Sequence, residues 1–303
     1  MVQQQLSMGL AVSTYNVVLA NYLLAINLLQ KVETAARAET LLEEITRVQR
    51  HRLKPQDPEH LKYQHALAAT YLMIEQYEKA IGLLEKVVEI YETTLDPKDP
   101  KRLTSLQNLA WAYAGMKQYE DAIGLLEKVV EIRETTLDPK DPARLTSQYN
   151  LAWAYIGVKQ YEDAIGLLEK VVEIRETTLD PKDPNRLASQ HELARAYIGI
   201  KQYEKSVGLL EKVVKTEETT LDPKDPNRLA SQHTLAYAYI GTKQYERAIG
   251  LLEKVVEIQK TTLKAGDSFR ILSEELLVEA RLALSSSATS SEQLPSSPSR
   301  TPV

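Results

Sequence analysis

The 303-residue chain contains no cysteine. Disulfides, thiolate catalysis and cysteine-based metal sites are thereby excluded, and the composition fits a reducing compartment, so a cytoplasmic location is expected. An excess of either charge is also lacking: 37 Lys and Arg stand against 42 Asp and Glu, a net charge of −5 with both signs mixed along the chain. Without a basic stripe to neutralise a phosphate backbone, nucleic acid is not an expected partner. The sequence has no G-x-x-x-x-G-K-[ST] phosphate loop, no G-x-S-x-G nucleophile elbow and no H-E-x-x-H metal helix. No enzyme activity, catalytic residue or cofactor is therefore assigned.

Charge is missing locally as well. No charged residue precedes Lys31, and Met8–Leu29 is rich in Leu, Val and Ala. A secretory signal would need a basic start and a small-residue cleavage motif, and neither is present. Ser13, Thr14, Asn16, Asn21 and Asn27 in the same window argue against a membrane span. The expectation is a helix covered by the rest of the protein or by a partner, with self-association through this segment as an alternative.

What the chain does have is a period of 42 residues. Tyr119–Gln160 and Tyr161–Gln202 differ at six positions of 42, and three of these fall close together: Tyr149/His191, Asn150/Glu192 and Trp153/Arg195. Spaced i, i+1, i+4, they share one side of a helix. The turn sequence Leu-Asp-Pro-Lys-Asp-Pro begins at Leu95, Leu137, Leu179 and Leu221, with a weaker copy at Leu53 and a terminal one at Leu263. A fixed period overrides the two-domain prior that the length would suggest and implies one array of supersecondary units.

Each unit reads as two helices. In Arg102–Gln118, Leu103, Leu106, Leu109, Ala110 and Tyr113 follow helical spacing. In Tyr119–Leu137 a broad apolar face is formed by Ala122, Ile123, Leu125, Leu126, Val129, Val130 and Ile132, with Glu127, Lys128, Glu131 and Arg133 opposite it or at its edges, and the carboxylates Glu120, Asp121, Glu127 and Glu131 are expected on solvated faces. Pro139 ends one helix, and Asp141-Pro142 caps the next. Gly124, Gly166, Gly208 and Gly250 lie inside second helices at a cost of about 0.5–1 kcal/mol each, which predicts a close helix-on-helix approach there.

These residues resemble the tetratricopeptide repeat. The family's Leu-small-x-x-Tyr run appears as Leu109-Ala110-Trp111-Ala112-Tyr113 and Leu151-Ala152-Trp153-Ala154-Tyr155, followed by Ala122 and Ala164 and then Leu126 and Leu168. The long repeat with a D-P linker is similar to kinesin light chain repeats, and near-identical copies are typical of the arrays of fungal nucleotide-binding receptor proteins. The resemblance implies an all-α fold, an α-solenoid of antiparallel helix pairs, whose first helices line an inner groove. The expected layout is a degenerate helical cap over 1–53, five repeat units over 54–263, a closing helix over 264–284 and a disordered Ser/Pro-rich tail over 285–303. Ser297-Pro298 and Thr301-Pro302 in that tail have the form of proline-directed phosphorylation sites.

The variable patch maps onto the implied groove as Gln107, Asn108 and Trp111, then Tyr149, Asn150 and Trp153, then His191, Glu192 and Arg195, then His233, Thr234 and Tyr237. In kinesin light chains an asparagine at the second place of each set contacts the backbone of a bound peptide. Asn108 and Asn150 match it, while Glu192 and Thr234 depart. Tyr, Trp and Arg are enriched at binding hot spots. If this register meets water, Arg195→Ala should cost less than about 1 kcal/mol of stability. His65, His191 and His233 share one repeat position, but equivalent positions on adjacent helices lie about 10 Å apart, too far for one metal ion. The implied function is a non-enzymatic scaffold that binds a partner protein or extended peptide. Alternatives are a self-associating structural or regulatory protein and a sensor fragment related to the fungal receptor arrays.

Overall fold

The structure, a computed structural model, describes residues 19, 21–25 and 35–292. Most of Met8–Leu29 lies outside the described residues, as do 293–303, so the expectations for the uncharged N-terminal segment and for Ser297 and Thr301 fall outside them too. The chain divides into two compact units, residues 1–158 and 159–303. In the first, α1 (Ala35–Arg50), α2 (Pro58–Met73), α3 (Tyr77–Thr94), α4 (Pro100–Gly115), α5 (Tyr119–Thr136) and α6 (Pro142–Gly157) each pack on the next. The second repeats the arrangement with α7 (Tyr161–Thr178), α8 (Pro184–Gly199), α9 (Tyr203–Thr220), α10 (Pro226–Gly241), α11 (Tyr245–Thr262) and α12 (Ser268–Glu292). No strand occurs among the described residues, and the architecture is an α-solenoid of antiparallel helix pairs.

The linker between helix pairs is tied down at both ends. Asp141 stands outside α6 at φ −60° and ψ 127°, and its carboxylate accepts from the backbone N–H groups of Ala143 and Arg144 at 2.8 and 3.4 Å. Pro142 follows at the first helical position, where a missing N–H costs nothing. Asp57, Asp99, Asp183 and Asp225 repeat the cap. Arg144 then reaches backwards, its Nη1 donating to the carbonyls of Glu134 and Leu137, both at 3.1 Å. The open carbonyls at the end of α5 thus receive a cationic donor. Arg102, Arg186, Arg228 and Arg270 do the same for Leu95, Leu179, Leu221 and Leu263.

Within a pair the turn is a left-handed cap. Lys117 has φ 61°, its N–H donates to the Ala114 carbonyl, and the Gln118 N–H donates to that of Tyr113, both at 2.9 Å. Glu75, Lys159, Lys201 and Lys243 hold the same conformation. Tyr113 also donates from its hydroxyl to Glu85 at 2.8 Å, and Tyr155, Tyr197 and Tyr239 donate to Glu127, Glu169 and Glu211. Burial, with the Glu85 carboxylate beside it, pushes the Tyr113 phenol up to about 12. Glu127 is exposed, as expected, and in addition accepts from the Tyr155 hydroxyl.

Three expectations are corrected here. Gly124, Gly166, Gly208 and Gly250 are exposed, with nothing within 4 Å of an added Cβ. The close approach occurs instead at the ends of first helices, where a Cβ on Gly115, Gly157, Gly199 or Gly241 would sit 2.4–2.5 Å from the ring of Tyr77, Tyr119, Tyr161 or Tyr203. Arg133, expected opposite the apolar face or at its edges, is buried at 5% exposed. The C-terminal boundary differs too: α12 continues past Leu284 to Glu292, and the Ser285 and Ser286 hydroxyls bond back to the Leu282 carbonyl at 2.8 and 2.9 Å. Such back-bonding lets serine stay within a helix rather than end it.

The two glycine rows should respond to alanine with opposite signs. Gly115→Ala is expected to cost about 1–3 kcal/mol through overpacking against Tyr77. Gly124→Ala should add about 0.5–1 kcal/mol by removing backbone freedom from the unfolded chain. Urea unfolding of both variants beside the parent measures the two shifts.

Candidate functional site

In the first unit the first helices α2, α4 and α6 lie side by side, with α4 touching both neighbours. Gln107, Trp111, Tyr149, Asn150 and Trp153 converge there on a pocket of about 220 Å³, completed by Ala110, Ala114 and Leu126. Trp111 is 56% exposed, so it is not a core residue. Trp153 is half-buried, held edge-on by the Tyr119 ring at 6.0 Å and 68°. No charged side chain lines this pocket.

Beneath it, Arg133 orients one wall. Its Nη1 donates to Gln107 Oε1 at 2.8 Å and to the Ala143 carbonyl at 2.9 Å. A guanidinium has no acceptor, so the Gln107 oxygen must face it, leaving the amide NH2 as the other end. Asn108 is engaged differently: its Nδ2 lies 3.3 Å from His65 Nε2. An amide nitrogen can only donate, which makes that ring nitrogen the acceptor, and burial pushes the His65 pKa down, favouring the neutral ring.

The second unit carries different chemistry at the same register. Glu192 is buried, its carboxylate chelating Arg195 Nη1 at 3.0 and 2.7 Å, with His191 Nδ1 at 3.5 Å. His191 Nε2 lies 3.1 Å from Thr234 Oγ1, which itself donates to the Ala230 carbonyl. His233 Nδ1 meets Ser273 Oγ at 3.1 Å, and its ring stands edge-on to Phe269 at 5.4 Å. Tyr237 is 43% exposed. Among the described residues no three His, Asp or Glu side chains are grouped to hold a metal ion.

Two readings of this register change. Glu192 is 7% exposed, with its carboxylate turned to Arg195 and His191 of its own helix, so little of it is open to a partner. Arg195 is its countercharge, so truncating it is not a neutral change. A further position was not singled out at all. Tyr91, Arg133, Arg175, Glu217 and Gln259 occupy one place in successive second helices, all 8% exposed or less. Arg133 lies under Gln107, and Glu217 feels the charge of His191. Burial pushes the Glu217 carboxyl above its ordinary range, against a hydrogen bond from Ser231. The visible signal was a change of residue at this place between helices that share most of their other residues.

Burial alone would raise the Glu192 pKa, but the hydrogen bonds and charges of His191 and Arg195 reverse this and hold it below the usual carboxylate range. The stabilisation this represents is present above the unfolded carboxylate pKa of about 4.3 and is lost as pH falls through the lower folded value. Arg195→Ala should cost about 1–3 kcal/mol at pH 7, and much less in a Glu192→Gln background. Denaturation of the four proteins at pH 7 and again below pH 4 measures the coupling, which should shrink in acid.

A tetratricopeptide repeat family model matches residues 17–93, 75–135, 113–177, 157–219 and 185–261, which together cover most of the chain. Two crystal structures of a Podospora anserina putative kinesin light chain with nearly identical TPR-like repeats are 46% and 45% identical. They cover 69% and 70% of this chain and 97% and 99% of their own, with TM-scores of 0.59 and 0.58. BtubC (BKLC) from P. vanneervenii shares the fold alone, at 16% identity and a TM-score of 0.57 over 78% of this chain and 92% of its own. No curated protein matched. On the strength of the repeated match and the capped helix pairs behind it, this chain belongs to the tetratricopeptide repeat family.

Proposed function

We propose that the chain is a non-enzymatic interaction scaffold that binds an extended peptide or partner protein along the inner faces of its first helices, in the cytoplasm. The observation that carries this reading is the pair of tryptophans, Trp111 and Trp153, set around one uncharged pocket. Large aromatic side chains with few rotors offer contact area at low entropic cost. Their exposure is not needed for the core, which Leu109, Ala110, Leu151 and Ala152 already fill at the same helical level.

Tetratricopeptide repeats are in general protein-binding scaffolds without catalytic chemistry, which agrees with this reading. No helix among the described residues is long and apolar enough to cross a membrane. The two units would present unlike surfaces to a partner. The first is aromatic and uncharged; the second offers Tyr237 and an Arg195 whose charge is already matched by Glu192.

The test is selection from a random peptide display library against the intact chain, followed by titration. Trp111→Ala should leave stability within about 1 kcal/mol of the parent, since the side chain is exposed. It should weaken the selected peptides by about tenfold or more. Peptides that bind the parent and the Trp111→Ala and Trp153→Ala variants equally would overturn the assignment of this face.

A further inference from the structure

The helix that closes the second unit is apolar on two sides. One side of α12, with Leu276, Leu277 and Ala280, joins the core of that unit. The other exposes Ile271, Leu272, Val278 and Leu282, each 39–63% open to water. By comparison α2, α4 and α10 expose one large apolar side chain each, Met73, Trp111 and Tyr237. A terminal repeat ordinarily turns a polar face to water, and a helix that is apolar on opposite sides is one built to be covered.

The period shows what kind of element fits there. Ile271 and Val278 stand 42 residues after Leu229 and Ala236, and these two places are buried in each of the five preceding first helices, from Leu61 and Ala68 onwards. Leu61 clusters with Val87 and Tyr91 of the second helix that follows it, so the natural cover is another helix. No second helix follows α12 among the described residues. Charge narrows the choice. Ile271, Glu275, Val278, Glu279 and Leu282 lie on one side of the helix by their spacing. Both glutamates are exposed and neither has a partner, whereas Glu274 is held by Arg270 at 3.0 Å and Arg281 by Glu253 at 2.7 Å. Two carboxylates four residues apart on one helix repel each other, and a cation set against them relieves this.

We propose that the uncovered side of α12 is a docking surface for a basic amphipathic helix of a partner protein, whose apolar stripe covers Ile271, Val278 and Leu282 and whose lysines or arginines meet Glu275 and Glu279. The surface shares no residue with the tryptophan pocket and does not rest on it. A second copy of the chain is a poor occupant, since the same face would bring its own two glutamates against these. An anionic membrane surface is repelled by them as well. Residues 293–303 offer one leucine and one arginine, too little to match four apolar side chains and two carboxylates. Helix docking of this kind divides the work: buried apolar side chains supply affinity, and charges flanking them choose the partner.

The probes are two labelled synthetic helices of about five turns, one built of leucine and lysine in amphipathic register and one of leucine and glutamate, titrated by fluorescence anisotropy against the intact chain. The leucine–lysine helix should bind saturably, and the leucine–glutamate helix at least tenfold more weakly. Leu272→Ser/Leu282→Ser should weaken the first by about tenfold, with the melting midpoint of the protein unchanged because both side chains are exposed. Glu275→Gln/Glu279→Gln, which leaves the apolar stripe intact, should weaken it severalfold and reduce its sensitivity to salt. The chain is acidic overall, so Glu162→Gln/Asp163→Asn on α7 serves as a charge control and should bind as the parent does. Equal binding by the parent and both α12 variants, or an equal loss in the α7 control, overturns the proposal. So does a loss produced by Trp111→Ala alone, which would place the probe in the groove of the first unit. A dimer of the parent in sedimentation equilibrium that Leu272→Ser/Leu282→Ser dissolves, or binding to phosphatidylserine vesicles that needs the same two leucines, would overturn it in favour of a second copy or a lipid surface.

Discussion

Everything in these units depends on how the chain passes from the end of one helix pair to the start of the next. A helix end leaves carbonyls open and the next helix start leaves N–H groups open, and side chains around a short linker bond to both. Asp141, the residue just before α6, answers the second need, and Arg144, three residues on in the first turn of α6, answers the first. The consequence is angular. With donor and acceptor both fixed, α6 has one direction in which to leave α5, and the inner faces of α4 and α6 are set beside each other. The pocket at Trp111 and Trp153 is a product of that direction.

The fold was legible in the sequence because its causes are local. Prolines, aspartate caps and apolar spacing act within a few residues, and a period of 42 displays them in several copies. The site was legible only as a register. Variation at Tyr149/His191 and Trp153/Arg195 pointed to the inner face, but it could not say that Glu192 is buried and neutralised by Arg195, because burial depends on what packs around the helix. The glycines mislead for a related reason. Gly124 has the costlier address, mid-helix, yet Gly157 is the one a tyrosine ring covers. Exposure and contact are tertiary facts, and helix position is a poor guide to them. Arg133 is the clearest case: a charged residue beside an apolar face is usually solvated, and only the packing of Gln107 and the Ala143 carbonyl around it explains its burial.

The units also divide labour between layers. Constant residues, the tyrosine–glutamate bonds among them, tie first helices to the second helices before them. Variable residues sit on the inner face and in the buried row that contains Arg133 and Glu217. Surface chemistry can therefore change from one repeat to the next without altering how repeats join, which is how one unit comes to offer two indoles and the other a masked charge pair.

That buried row has a consequence for assembly. Nearly identical repeats can pair with the wrong neighbour, and a slip of one whole repeat would preserve every aspartate cap, every arginine clamp and every tyrosine bond, a known hazard of repeat arrays. What such a slip would not preserve is the occupant of the variable row. It would bring Arg175 to the place under His191 where Glu217 stands, exchanging a carboxylate for a guanidinium in a site closed to water. The row Tyr91, Arg133, Arg175, Glu217, Gln259 thus marks the segments that carry Tyr91, Glu217 and Gln259 as distinct from their neighbours, while the two that carry Arg133 and Arg175 share one mark.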